Sequence, residues 1–157
     1  MEREVIGDLT ATVSEALIKR AQSAPKDELA AMMDMPSSHT DAPQDPSLAR
    51  LLPDFEREGD EEFDGDNSLL RSLHENDIIK AKLTNLQVIN EALGPTGGVA
   101  VTIDEEDAPR VVAALNDMRL YVASAETNSE AAEQDRDNLV EWLAYCQDSL
   151  LQAMTGE

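Results

Sequence analysis

The chain has 157 residues, one domain's worth, and its 41% apolar content is enough to bury a core without disulfides or a structural metal. Its 33 acidic residues against 12 basic ones give a net charge of -21. A field of that sign repels phosphate, so direct DNA or RNA binding and attachment to anionic membrane surfaces are not expected.

Aromatics are 3% of the chain, so the core has to come from Leu, Val, Ile, Ala and Met. The start, "MEREVIGDLT", carries charges where a signal peptide places its apolar region. No apolar run approaches the roughly 20 residues that span a bilayer. A single cytoplasmic helical domain over residues 1–157 is therefore expected. Cys146 is the one cysteine, so no disulfide can close within the chain.

The apolar period is helical almost throughout. Val5, Ile6, Leu9, Val13, Ala16 and Leu17 define one face of a helix over about residues 2–22. After Ser23 and Pro25, "KDELAAMM" predicts a short helix presenting Leu29, Met32 and Met33, and "DMPSSHTDAPQDP" reads as loop. In "DPSLARLLP", Asp45 is a good N-cap, Pro46 suits the first helical position, and Leu48, Leu51 and Leu52 form an apolar patch before Pro53. Residues 54–66 place Arg57 among eight acidic side chains, with Phe55 and Phe63 as their apolar members, and predict a mobile acidic loop.

The longest helical pattern starts at Asn67 or Ser68 and carries Leu69, Leu70, Leu73, Ile78, Ile79, Leu83, Leu86, Ile89 and Leu93. Its stripe breaks at "HEND", where Asn76 can cap a second helix, so a kink or two consecutive helices are expected. "GPTGG" ends it. "VAVTI" is β-branched but lacks a convincing strand partner, and reads as an extended approach to the next helix. Thr102 and Glu105 have capping-box spacing, whereas Pro109 argues for a later start at Asp107. That helix buries Val111, Val112, Leu115, Met118 and Val122. "SAETNSEAAEQ" reads as a polar connection, and a final helix over 133–154 carries Leu139, Trp142, Leu143, Cys146, Leu150 and Met154 before Gly156. The class is all-α, with five to six helices.

Motifs with chemistry are few. "DEEFDGDNSLLRSLHE", residues 60–75, has the size of a calcium loop. Starting at Asp64, Leu69 occupies the glycine position; starting at Asp60, Arg71 falls where the closing glutamate belongs. Neither frame closes. His39 and His74 are the two histidines, and the zincin, phosphate-loop and nucleophile-elbow patterns are missing, so neither a catalytic set nor a cofactor is expected. Cys146 sits on an apolar face beside Trp142 and Leu150 and reads as a small buried hydrophobe, with a thiol redox sensor as the alternative. Arg71 and Arg119 are placed among leucines. They are expected to pair with Asp77 or Asp117 in an internal ion network, or else, with His74 nearby, to mark a groove for a partner's carboxylate.

Taken in order, "DPSLARLLPDF", "SLLRSLHENDIIKAK", "TIDEEDAPRVVAALNDMRL" and "WLAYCQDSLLQAM" resemble the successive blocks of an actinobacterial family of unknown function, often encoded beside the ClpS protease adaptor, that includes an oxidative-stress regulator. The resemblance covers about residues 5–155. It implies a compact helical cytoplasmic protein, in the family's one assigned role a redox-responsive transcription regulator working with the transcription machinery; with no catalytic motif in the chain, a non-enzymatic regulator or adaptor is expected, its partner a sigma factor, RNA polymerase or a Clp component. The family's thiol switch rests on a cysteine pair, and Cys146 stands alone here. The family's basic, aromatic lead-in has no counterpart ahead of Met1, so a shortened or divergent start is expected.

Overall fold

A computed structural model of the chain describes residues 2–24, 32, 39, 41–54, 63–93 and 103–156. Among them are five helices: α1 (Glu2–Gln22), α2 (Pro46–Leu51), α3 (Phe63–Leu93), α4 (Ala108–Ala123) and α5 (Glu130–Thr155), with no strand. The all-α expectation holds. No helix among the described residues is long and apolar enough to cross a membrane.

The centre of the fold is α4. It pairs extensively with α5, to which it is joined by the short connection 124–129, and it also packs on α3, α2 and α1. Val111, Ala114, Leu115, Met118 and Val122 repeat at three- and four-residue spacing, so one continuous stripe of α4 faces the core. Val13 and Leu17 of α1, Leu51 and Leu52 at the end of α2, Ile79, Leu86 and Ile89 of α3, and Leu143 of α5 close around it. Thr10 is also buried, which its polarity hid: its hydroxyl donates to Ile6 O at 2.7 Å and lies 3.6 Å from Met118 Sδ.

The helix ends follow local chemistry. Asp45 caps α2 by accepting from Ser47 N at 3.3 Å, and Pro46 opens the helix. The later of the two expected starts is the one α4 adopts: residues 104–107 form a turn, with Asp107 N donating to Asp104 O at 3.0 Å, and Pro109 falls in the first helical turn, where its missing N–H costs nothing. In the stretch expected to be a polar connection, Ser129 instead caps α5, its hydroxyl accepting from Ala132 N at 3.1 Å, so "EAAEQ" is helical. Glu130 and Glu133 suit the positive end of the helix dipole there. At the far end Gly156 takes the left-handed conformation, φ 79°, that helix C-termini favour.

Two expectations about α3 are corrected. The helix begins at Phe63, inside the stretch read as loop, and it runs to Leu93 without a break at "HEND". The inward positions are 71, 75, 79, 86 and 89, and Glu75 of "HEND" is one of them. The stripe therefore continues through this segment; it changes from apolar to charged. Leu69 and Leu73 stand two residues from these positions, about 200° around the helix, and are 58% and 54% exposed. They are not part of the core.

Residues 55–62 of the acidic stretch lie outside the described residues, as do "GPTGG" and most of "VAVTI"; Ile103 packs half-buried against the core. The calcium frame from Asp60 begins on those undescribed residues, and the frame from Asp64 is helix, not loop. The helix expected over "KDELAAMM" also lies outside them apart from Met32, which is 85% exposed.

Candidate functional site: a buried arginine–glutamate network

Arg71 and Glu75 are both 1% exposed, on successive turns of α3. Glu75 Oε1 accepts from Arg71 Nη1 at 2.9 Å and from Arg20 Nη2 at 2.9 Å, while Oε2 accepts from Arg20 Nε at 3.2 Å. Arg20 thus holds the carboxylate with both prongs of its fork, the strong planar geometry for such a pair. Arg71 Nη1 also donates to Leu52 O at 3.1 Å and Nη2 to Asp54 Oδ1 at 3.2 Å; Arg20 Nη2 donates to Asp41 O as well. Two guanidinium and two carboxylate groups balance in charge. That balance, with the carbonyl acceptors, is what makes burial of Arg71 and Glu75 beside Arg20 tolerable, while Asp54 meets Arg71 from the solvent side.

α1 supplies Arg20 because it continues the inward spacing of Val13 and Leu17, and α3 supplies Arg71 and Glu75 because they continue the spacing of Ile79. His39 Nε2 donates to Arg20 O at 2.6 Å, fixing the end of α1 from the other side. Leu52, Pro53, Asp54, Arg71, Glu75 and Ile78 line a pocket of about 120 Å3 beside the network. Asp54, 47% exposed, stands at its rim.

The sequence-derived site residues are distributed differently from expectation. Arg71 does enter an ion network, but with Glu75, Asp54 and Arg20 in place of Asp77 or Asp117. Asp77 and His74 occupy the exposed face of α3. Asp117 is buried and pairs with Lys82 of α3, 2.8 Å from its Nζ. Arg119 is half-buried on α4 and donates to Asn116 Oδ1 at 2.9 Å, one turn back on the same helix. His74, Asp117 and Arg119 do not line the pocket. Arg20, Glu75 and Lys82 were missed. A signal existed for the first two: charged residues falling in register with an apolar stripe, at Val13–Leu17–Arg20 and Arg71–Glu75–Ile79.

Cys146 is half-buried on α5 and packs against the core, as do Trp142 and Leu150. Tyr121, on α4, keeps its hydroxyl proton above the usual tyrosine range, chiefly because of burial and secondarily because of the Asp45 carboxylate. Among the described residues no three or more His, Cys, Asp or Glu side chains are grouped to hold a metal ion. The network joins α1, α3 and the segment 41–54 through side chains and carbonyls that come from all three.

These features define a helical protein whose buried polar site is an ion network joining helices. The chain belongs to the family described as "Domain of unknown function (DUF2017)", which it matches over residues 1–154. It is 31% identical over 176 aligned residues to the oxidative stress regulator AosR of Mycobacterium tuberculosis (strain H37Rv), covering 99% of this chain and 79% of that protein; the Mycobacterium bovis AosR gives the same figures. The putative oxidative stress regulator AosR of Mycobacterium leprae is 33% identical over 127 residues, 75% of this chain and 56% of that protein. No solved structure matches the chain.

Proposed function

We propose that this protein is a cytoplasmic, non-enzymatic regulator of the oxidative-stress response that acts by contacting another protein. The observation that carries this reading is the similarity to proteins named oxidative stress regulators along 99% of the chain. The charge of -21 supports a basic partner and speeds the encounter with it. A sigma factor, RNA polymerase or a Clp component is the class of partner we favour, and any effect on transcription passes through a protein that itself contacts DNA. The half-buried, core-packed position of Cys146 supports regulation that does not run through its thiol.

The test is a pull-down with the purified chain from native lysate, with and without nuclease, read by mass spectrometry. A partner from the transcription or Clp machinery that survives nuclease and is released by raising salt is expected. Capture that vanishes with nuclease, or retardation of a promoter fragment by the chain alone at physiological salt, would overturn the proposal.

A further inference from the structure

Residues 41–54 cross the helical body as a strap. α2, inside it, is six residues long, too short to be helical by itself in water, so its helix persists only while docked. Docking is partly apolar: Leu51 and Leu52 are each 2% exposed and belong to the core. It is also polar, because Ser47 Oγ donates to Tyr121 O at 2.7 Å. The two ends are gripped separately. Arg20 of α1 donates to Asp41 O at one end, and Arg71 of α3 donates to Leu52 O and Asp54 Oδ1 at the other.

Both grips meet at one carboxylate. Glu75 is the buried acceptor that Arg20 and Arg71 share, and it is what allows two guanidinium groups to stand side by side away from water. Weakening either grip changes how the other arginine is neutralised. The packing of α1 on α3, α3 on α4 and α4 on α5 involves contacts that the strap does not supply.

We propose that Glu75 is the hub of a two-ended latch, and that residues 41–54 undock as one unit, in an opening distinct from global unfolding and governed by Glu75. Opening uncovers the apolar surface beneath Leu51 and Leu52 while the four long helices stay packed. The latch needs no particular partner, so it stands or falls separately from the proposed function.

Native-state hydrogen exchange tests it at the amides of Ala49 and Leu52, which donate to Asp45 O at 2.9 Å and Leu48 O at 2.8 Å. In the wild-type chain these amides should exchange about tenfold or more faster than the buried amides of α4. Glu75→Gln should speed them by about a further tenfold or more while α5 amides change much less. Arg20→Met, which touches only the Asp41 end, should speed the Leu52 amide at the opposite end; this variant decides the matter if Glu75→Gln fails to fold. The proposal is overturned if Arg20→Met leaves Leu52 unchanged, or if the variants accelerate strap and α5 amides by one common factor.

Discussion

Lys82 on α3 and Asp117 on α4 form an ion pair of 2.8 Å in which the two side chains are unequally shielded: 21% of Lys82 is exposed against 7% of Asp117. The pair should therefore respond asymmetrically to losing one partner. A stranded Lys82 can run its stem along the apolar surface and carry its ammonium to water. A stranded Asp117 cannot follow, and is left without its partner in a poorly solvated site. Lys82→Met should cost about 2–3 kcal/mol and Asp117→Asn about 1 kcal/mol. Urea denaturation of the two variants checks this; equal losses would show that Asp117 reaches water by another route.

The register of α3 makes a second prediction. Leu86→Ala empties a fully buried position and should cost about 2–5 kcal/mol, whereas Leu73→Ala, on the exposed side, should stay within about 0.5 kcal/mol. A large loss at Leu73 in thermal or urea unfolding would mean that this face is covered in solution.

That contrast also shows what a sequence can and cannot disclose. Caps and apolar stripes are local, and so Asp45, Pro46, Leu51, Val111, Met118 and Leu143 were legible from spacing alone. Leu69 and Leu73 misled because a run of leucines contains more apolar residues than one face can bury. The register was chosen elsewhere, by Ile79, Leu86 and Ile89, and it pointed Arg71 and Glu75 inward. The ion network was read only as an oddity at Arg71, although Arg20 and Glu75 also stand in register with apolar stripes. Its partners Arg20 and Asp54 come from other elements, and nothing in the spacing of one helix says which opposite charge another will bring to it. Ser47 was hidden for the same reason, since its acceptor, Tyr121 O, is distant in sequence, and Thr10 because its hydroxyl is satisfied within α1 by Ile6 O while its side chain meets Met118.

Tyr121 gives the fold a dependence on alkaline pH. Its folded pKa lies above the ordinary value of 10.0, because burial and the Asp45 carboxylate both disfavour the phenolate. The folded chain thus holds this proton more tightly than the unfolded one. Stability from this source is complete below pH 10.0 and falls as pH rises past it toward the folded pKa. Tyr121→Phe should flatten the decline in melting temperature on that side while leaving neutral pH little changed. A decline of unaltered steepness in the variant would assign it to other groups.

The last prediction concerns Cys146. Its side chain packs against the core beside Trp142 and Leu150, yet it is half-buried, so geometry alone leaves its thiol a path to solvent. Reactivity needs more than a path: the attacking species is the thiolate, favoured by a neighbouring cation or a helix N-terminus. Cys146 lies well inside the 26-residue α5, away from its N-terminus, with its side chain packed against the core. Packing should then govern its behaviour. Cys146→Ala should cost about 1 kcal/mol and Cys146→Val less where the branched stem fits, with no effect on partner capture before or after peroxide. Native Cys146 should also react with a thiol reagent several-fold more slowly than the same residue in the urea-unfolded chain, since packing against the core narrows the approach to the half-buried side chain. Labelling at the unfolded rate, together with a peroxide-induced disulfide dimer, would make this thiol the sensor and displace the packing role.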